Sequence, residues 1–181
     1  MVAQDPPVGP RISADAGLYE QPLAGAGRGH SQTVENVDGG DRLVAKTTRV
    51  KWVEKKQFVG TDSSKHSVVM SSQDEENSTG MSPSQLLLVA LGGCTAYDVV
   101  SILEKKRQRL TGLEVTVTGE QEANPPWPYH KIHIHYEVRG QALGDKAVHD
   151  AIKISEEKYC SVAATVRGVA EITYDYTIIE D

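Results

Sequence analysis

Apolar and polar positions change rhythm several times along this chain, and each change marks an element. In "KIHIHYEVRG", residues 131–140, Ile132, Ile134, Tyr136 and Val138 alternate with His133, His135 and Glu137, the two-residue period of a half-buried strand. "LEVTVTGEQ", residues 113–121, predicts its antiparallel partner across the proline-rich link "ANPPWPYH", in which Trp127 reads as an anchoring aromatic. "RLVAKTTRVKWVE" and "KHSVVMS" predict short strands nearer the N-terminus, with turn chemistry in "DSSKHS" between them. "VAEITYDYTII" predicts the closing strand.

The rhythm is helical elsewhere. Ser82, Pro83 and Gln85 spell a capping box with proline at the first helical position, and Met81 and Leu86 stand where a hydrophobic staple would. The spacing predicts a helix from there to about Leu110, ending at Gly112, with "EKKRQR" in its last turns where cations suit the macrodipole. Its "LLLVAL" is apolar on every side, so it must be covered all round, between layers or by a second subunit. A second helix from Asp145 is predicted by Val148, Ala151, Ile152, Ser155 and Tyr159. Strands and helices do not alternate regularly, which predicts α+β rather than a doubly wound α/β fold.

Residues 1–42 carry "DPPVGP", "AGAGRG" and "DGG" with few large apolar residues and read as an extension; residues 43–181 read as the folded domain. A net charge of -6 argues against a nucleic-acid partner. The apolar run of the long helix reads as too short, and too soon met by Asp98, to span a bilayer. No address is visible at the N-terminus, and two cysteines do not make a disulfide scaffold, so a cytoplasmic protein with two thiols is expected.

Those thiols carry the candidate chemistry. Cys94 follows Gly92 and Gly93 inside the long helix, although each glycine costs about 1 kcal/mol there. Two missing side chains beside a thiol open a route to the sulfur. Asp98, one turn on, opposes a thiolate, so an activated Cys94 needs a cation or hydrogen-bond donors from elsewhere. Arg49, Lys51, Lys55, Lys56, Lys65, His66 and Arg167 are the candidates by charge. Cys160 lies near the end of the second helix. His133 and His135 share a strand face but have no third ligand beside them, and read as surface residues rather than a metal site. No phosphate loop or nucleophile elbow is present.

Three separated stretches, "RVKWVEKKQFVGTDSS", "MSPSQLLLVALGGCTAYDVVSIL" and "EKYCSVAATVRGVAEITYDY", together resemble the OsmC/Ohr family, from about Thr48 to the C-terminus. The resemblance implies an intertwined α+β homodimer, with the long cysteine helices packed centrally and sheets of both chains wrapped around them. It implies two sites at the subunit interface and no cofactor or metal. Cys94 would attack an organic hydroperoxide and become a sulfenic acid, Cys160 would resolve it as a disulfide, and a dithiol reductant, in some members a lipoyl protein, would restore both, in defence against oxidative stress. The better-known hydroperoxide-resistance members have an Arg after the first strand and a Glu ten positions before the reactive Cys. Here Phe58, beside Gln57, and Ser84 stand at those places. A slow peroxidase, a thiol sensor, a protein with another substrate, a dimer that binds a small apolar ligand and a purely structural dimer are the alternatives.

Overall fold

The computed structural model describes residues 45–181, so the expected extension over 1–42 lies outside the described residues. Two three-stranded sheets and a helical layer make up this part of the chain. The first sheet is an antiparallel meander of β1 (Thr48–Glu54), β2 (Gln57–Asp62) and β3 (Ser67–Ser71). The second holds β4 (Arg109–Gln121), β5 (Tyr129–Gln141) and β6 (Glu171–Glu180), with β5 in the centre. As the alternating pattern predicts, β4 and β5 pair antiparallel, Val117 opposite Ile134. β6 lies parallel to β5, Tyr136 beside Tyr176. Parallel neighbours need a crossover rather than a tight turn, and the helices between residues 145 and 166 form it.

The long helix α1 (Pro83–Lys105) begins as its sequence dictates. The Ser82 hydroxyl accepts the Gln85 N–H, and the Gln85 side chain accepts the Ser82 N–H. It ends earlier than the spacing predicts. Lys106 is the C-cap, and Arg107 turns left-handed at φ 56°. The Arg107 N–H then donates to Glu104 and the Gln108 N–H to Leu103, satisfying carbonyls that the last turn leaves open. Glycine usually holds this position, and an arginine in it leaves no mark that a sequence reader would find. Gly112 belongs to β4 instead, and only Glu104 and Lys105 of the basic run are helical.

The core forms where one stripe of α1 (Leu91, Val99, Leu103) and the inward residues of α2 (Asp145–Ile154) meet Ile132, Ile134, Tyr136 and Val138 of β5. By length and composition α1 is long and apolar enough to cross a membrane, with a mean hydropathy of 2.0 over its most apolar stretch, contrary to the reading of that run as too short. Here it lies along β4. Part of its remaining apolar surface is open in the single chain: Val89 is 52% and Tyr97 75% exposed. The first sheet is equally bare. Every residue of β1 is exposed, Trp52 at 61%, and the sheet joins the body of the chain at Met70 and Met81.

Candidate functional site

The two predicted glycines do different work. A Cβ on Gly92 would lie 2.9 Å from a Val117 methyl, so this residue lets α1 settle closely on β4. A Cβ on Gly93 would meet nothing within 4 Å. Gly93 instead faces an open, largely apolar groove of about 590 Å³ between α1 and β4, lined among others by Leu88, Val89, Val115 and Val117. Cys94 follows it, half-buried and packed against the core.

Cys160 arrives by an unforeseen route. The second helix does not run on to Tyr159. It gives way after Ile154 to a π-helical turn, Ser155–Tyr159, and Cys160 caps a third helix, α3 (Ser161–Val166). The wider turn rotates the chain, so Ser155 and Glu156 face inward and Tyr159 outward. Such turns are often found at functional sites. The Cys160 sulfur accepts the Ala163 N–H at 3.3 Å and is buried beside the Cys94 thiol. The two predicted thiols, 66 positions apart in sequence, are thus neighbours, and both are free.

Burial first, then the neighbouring Cys94 thiol, pushes the Cys160 thiol up to about 12, with the Glu156 charge adding to the rise and the Ala163 N–H opposing it. Cys160 is therefore a protonated thiol at neutral pH. The sign of the linkage follows. From a starting value of 9.0, the raised folded value contributes stability that is full below pH 9 and is lost as pH rises toward 12. Cys160→Ala is expected to flatten the alkaline fall in stability, checked by denaturant midpoints at about pH 8 and pH 10.

Around the thiols lies a buried polar chain that the sequence reading missed. The Thr95 hydroxyl lies 2.7 Å from Tyr136 Oη and 2.9 Å from Ser155 Oγ. Tyr136 Oη reaches Glu156 Oε1 at 3.0 Å, and Ser155 Oγ reaches Asp98 Oδ2 at 3.0 Å. Glu156 is 3% exposed, and its Oε2 has no hydrogen-bond partner. The nearest charge is Arg167, whose Nη2 donates to the Glu156 carbonyl at 2.6 Å and lies 3.5 Å from Oε2. Burial raises the Tyr136 phenol far above its usual range. Helical spacing gives no signal for Glu156, because only the π-helical turn brings it inside.

Of the seven candidate cations, Arg167 is the one on the crossover that carries Cys160. Lys55 and Lys56 face Glu76 and Asp74, and His66 faces Asp62. Arg49, Lys51 and Lys65 ride on the exposed first sheet or its turns. Phe58 lies in β2, and the Ser84 carbonyl accepts from the Tyr129 hydroxyl. His133 and His135 flank Asp175 on the outer face of β5 and β6, holding its carboxyl below the usual range chiefly through His135. Among the described residues no group of three or more side chains is arranged to hold a metal ion. Trp127 is exposed in the β4–β5 link.

A long helix laid on a three-stranded sheet, with a thiol on the helix meeting a second thiol from the crossover, defines an α+β protein with a paired-cysteine site. The chain belongs to the OsmC-like protein family, whose match covers residues 74–175. It is 40% identical over 131 residues to protein YhfA of Escherichia coli K12, a match that spans 72% of this chain and 96% of that protein. Its fold matches a hypothetical protein from Aquifex aeolicus at TM-score 0.69 and 27% identity, over 77% of this chain and 99% of the other. An organic hydroperoxide resistance protein OsmC from Legionella pneumophila shares the fold at TM-score 0.55 and 11% identity, covering 76% of this chain and 99% of that one.

Proposed function

We propose that this protein is a cytoplasmic, homodimeric thiol peroxidase that reduces organic hydroperoxides. The observation that supports this reading best is the unequal thiol pair: Cys94 half-buried on α1, and Cys160 buried and protonated next to it. The Cys94 thiolate attacks the outer peroxide oxygen, the O–O bond breaks, and the alkoxide leaves as an alcohol after taking a proton. Cys94 becomes a sulfenic acid. Cys160 then displaces its hydroxyl, giving the disulfide and water. A dithiol, such as a protein-bound lipoyl group, returns both cysteines to thiols by exchange. With Phe58 and Ser84 where hydroperoxide-resistance members carry Arg and Glu, orientation of the peroxide falls to other groups.

The homodimer is supported by the surface the single chain leaves bare. Val89 and Tyr97 of α1 and the whole of β1 want cover that this chain does not supply. The test of the activity is one equivalent of an organic hydroperoxide added to reduced protein, followed by intact mass under non-reducing conditions. The parent is expected to lose two protons' mass, and Cys94→Ser to lose none. Equal oxidation of Cys94→Ser and the parent would defeat the assignment.

The groove itself favours a second reading, a dimer that binds a small apolar ligand. It predicts that fatty-acid-like compounds raise the melting temperature of the double Cys→Ser protein. No shift across such a panel would count against it.

A further inference from the structure

The buried polar chain does not close by ordinary hydrogen-bond counting. Five groups stand in line: Asp98, Ser155, Thr95, Tyr136 and Glu156. Four contacts join them, at 3.0, 2.9, 2.7 and 3.0 Å. A hydroxyl has one hydrogen to give, and an ionised carboxylate has none. Three hydroxyls therefore supply three hydrogens to four contacts. Thr95, Tyr136 and Ser155 are wholly buried, so water does not make up the difference. With both carboxyls ionised, one pair of oxygens would face each other at hydrogen-bond distance without a proton, which is repulsive. The fourth hydrogen belongs to a carboxyl.

We propose that Asp98 and Glu156 hold one proton in common along the Tyr136, Thr95 and Ser155 hydroxyls, and that this relay carries off the proton Cys160 releases when the two thiols join. The first half stands on the geometry alone. The second rests on the thiol-pair chemistry proposed above.

The ends of the line are unlike. Glu156 is buried and faces Arg167 from the end of α3, which favours negative charge there, while Asp98 is partly open to solvent one turn beyond Cys94. The resting proton thus sits toward Asp98, and Glu156 is the end ready to accept. Besides Arg167, the titratable groups that feel the Glu156 charge are Cys160, Tyr136 of β5 and Tyr174 of β6. As Cys160 attacks the Cys94 sulfur, its S–H bond breaks and the proton passes to Glu156. Asp98 yields the resting proton to water and the three hydroxyls turn toward it; each then hands on one proton and takes another, which leaves Glu156 ionised and Asp98 protonated as before. The hydroxide leaving Cys94 takes a proton from solvent, so the sum is one disulfide and one water. A thiol that burial and its neighbours hold in the protonated form needs such a base.

Two measurements on the full chain decide the matter. Infrared spectra in heavy water at neutral pD should show the carbonyl stretch of a protonated carboxyl. Asp98→Asn should abolish it, because the amide N–H supplies the missing hydrogen. A parent protein without that band overturns the shared proton. The second measurement uses the aromatic disulfide dithiobis(nitrobenzoate), which loads Cys94 as a mixed disulfide and releases a second coloured thiolate as Cys160 closes the bond. Thr95→Val should slow that release at least about tenfold and lower its solvent isotope effect, and Thr95→Ser should restore both. A Thr95→Val release within about twofold of the parent overturns the relay's part in closure. Neither measurement uses a peroxide. A protein whose Cys94 ignores hydroperoxides would sink the peroxidase assignment while these two results still judged the relay.

Discussion

Gly92→Leu is expected to lower the stability of the folded chain by about 2–3 kcal/mol, although leucine is by far the better helix former. The nearest atom to an added Cβ is a Val117 methyl at 2.9 Å, with a Val115 methyl at 3.7 Å behind it. Those side chains belong to β4, which is held along its length by β5 and cannot retreat without breaking its ladder. The helix must then lift, which opens the packing of Leu91 next to it and of Val99 two turns on. The gain of about 1 kcal/mol in helix propensity offsets only part of this. A urea unfolding midpoint lowered by about 1 M or more is the expected reading. A midpoint equal to that of the parent would mean that α1 does not lie so close to the sheet.

If the chain pairs as the proposed homodimer, Val89→Asp is expected to turn that dimer into a monomer in sedimentation at micromolar concentration. Val89 sits on the open side of α1, and nothing in its own chain covers it. In a monomer an aspartate there is a solvated surface charge of little consequence. Between two helices it is an unpaired carboxylate taken out of water, which costs several kcal/mol for each copy, and the two copies lie on the same interface. A variant that sediments as the parent dimer would show that the two chains meet elsewhere.

How far the fold was legible depended on whether its cause was local. The start of α1 was plain because Ser82, Pro83 and Gln85 act on backbone within a turn of themselves. β5 was plain because its alternation is a direct record of which side faces the core. The end of α1 was misplaced because Arg107 adopts a backbone conformation that its own side chain does not favour. β2 is not marked as a strand of its own by the pattern, since "QFVGTD" is short and lies between two turns. The parallel pairing of β6 was invisible, because it follows from where the crossover returns the chain.

The candidate site was half legible. Two cysteines, one behind paired glycines, named the sulfurs but not the groups that govern them. Thr95, Tyr136 and Ser155 are ordinary residues in ordinary surroundings until the helix, strand and π-helical turn converge. Glu156 looks like a surface acid in "SEEKY" until the register slips there. The cation list pointed mostly at the first sheet, whereas only Arg167 shares the crossover with Cys160.

The bare first sheet carries a consequence for how the chain is made. β1 to β3 are complete by Ser71, and β6 ends at Glu180. At roughly 5–20 residues per second, the early strands wait on the order of ten seconds for the last one to be translated. Three short strands without a layer behind them are barely stable in water. During that interval their open edges and Trp52 invite pairing with whatever nascent chain is nearest. For the proposed homodimer, polysomes, which crowd identical chains at matched stages, would bring the right stranger within reach first.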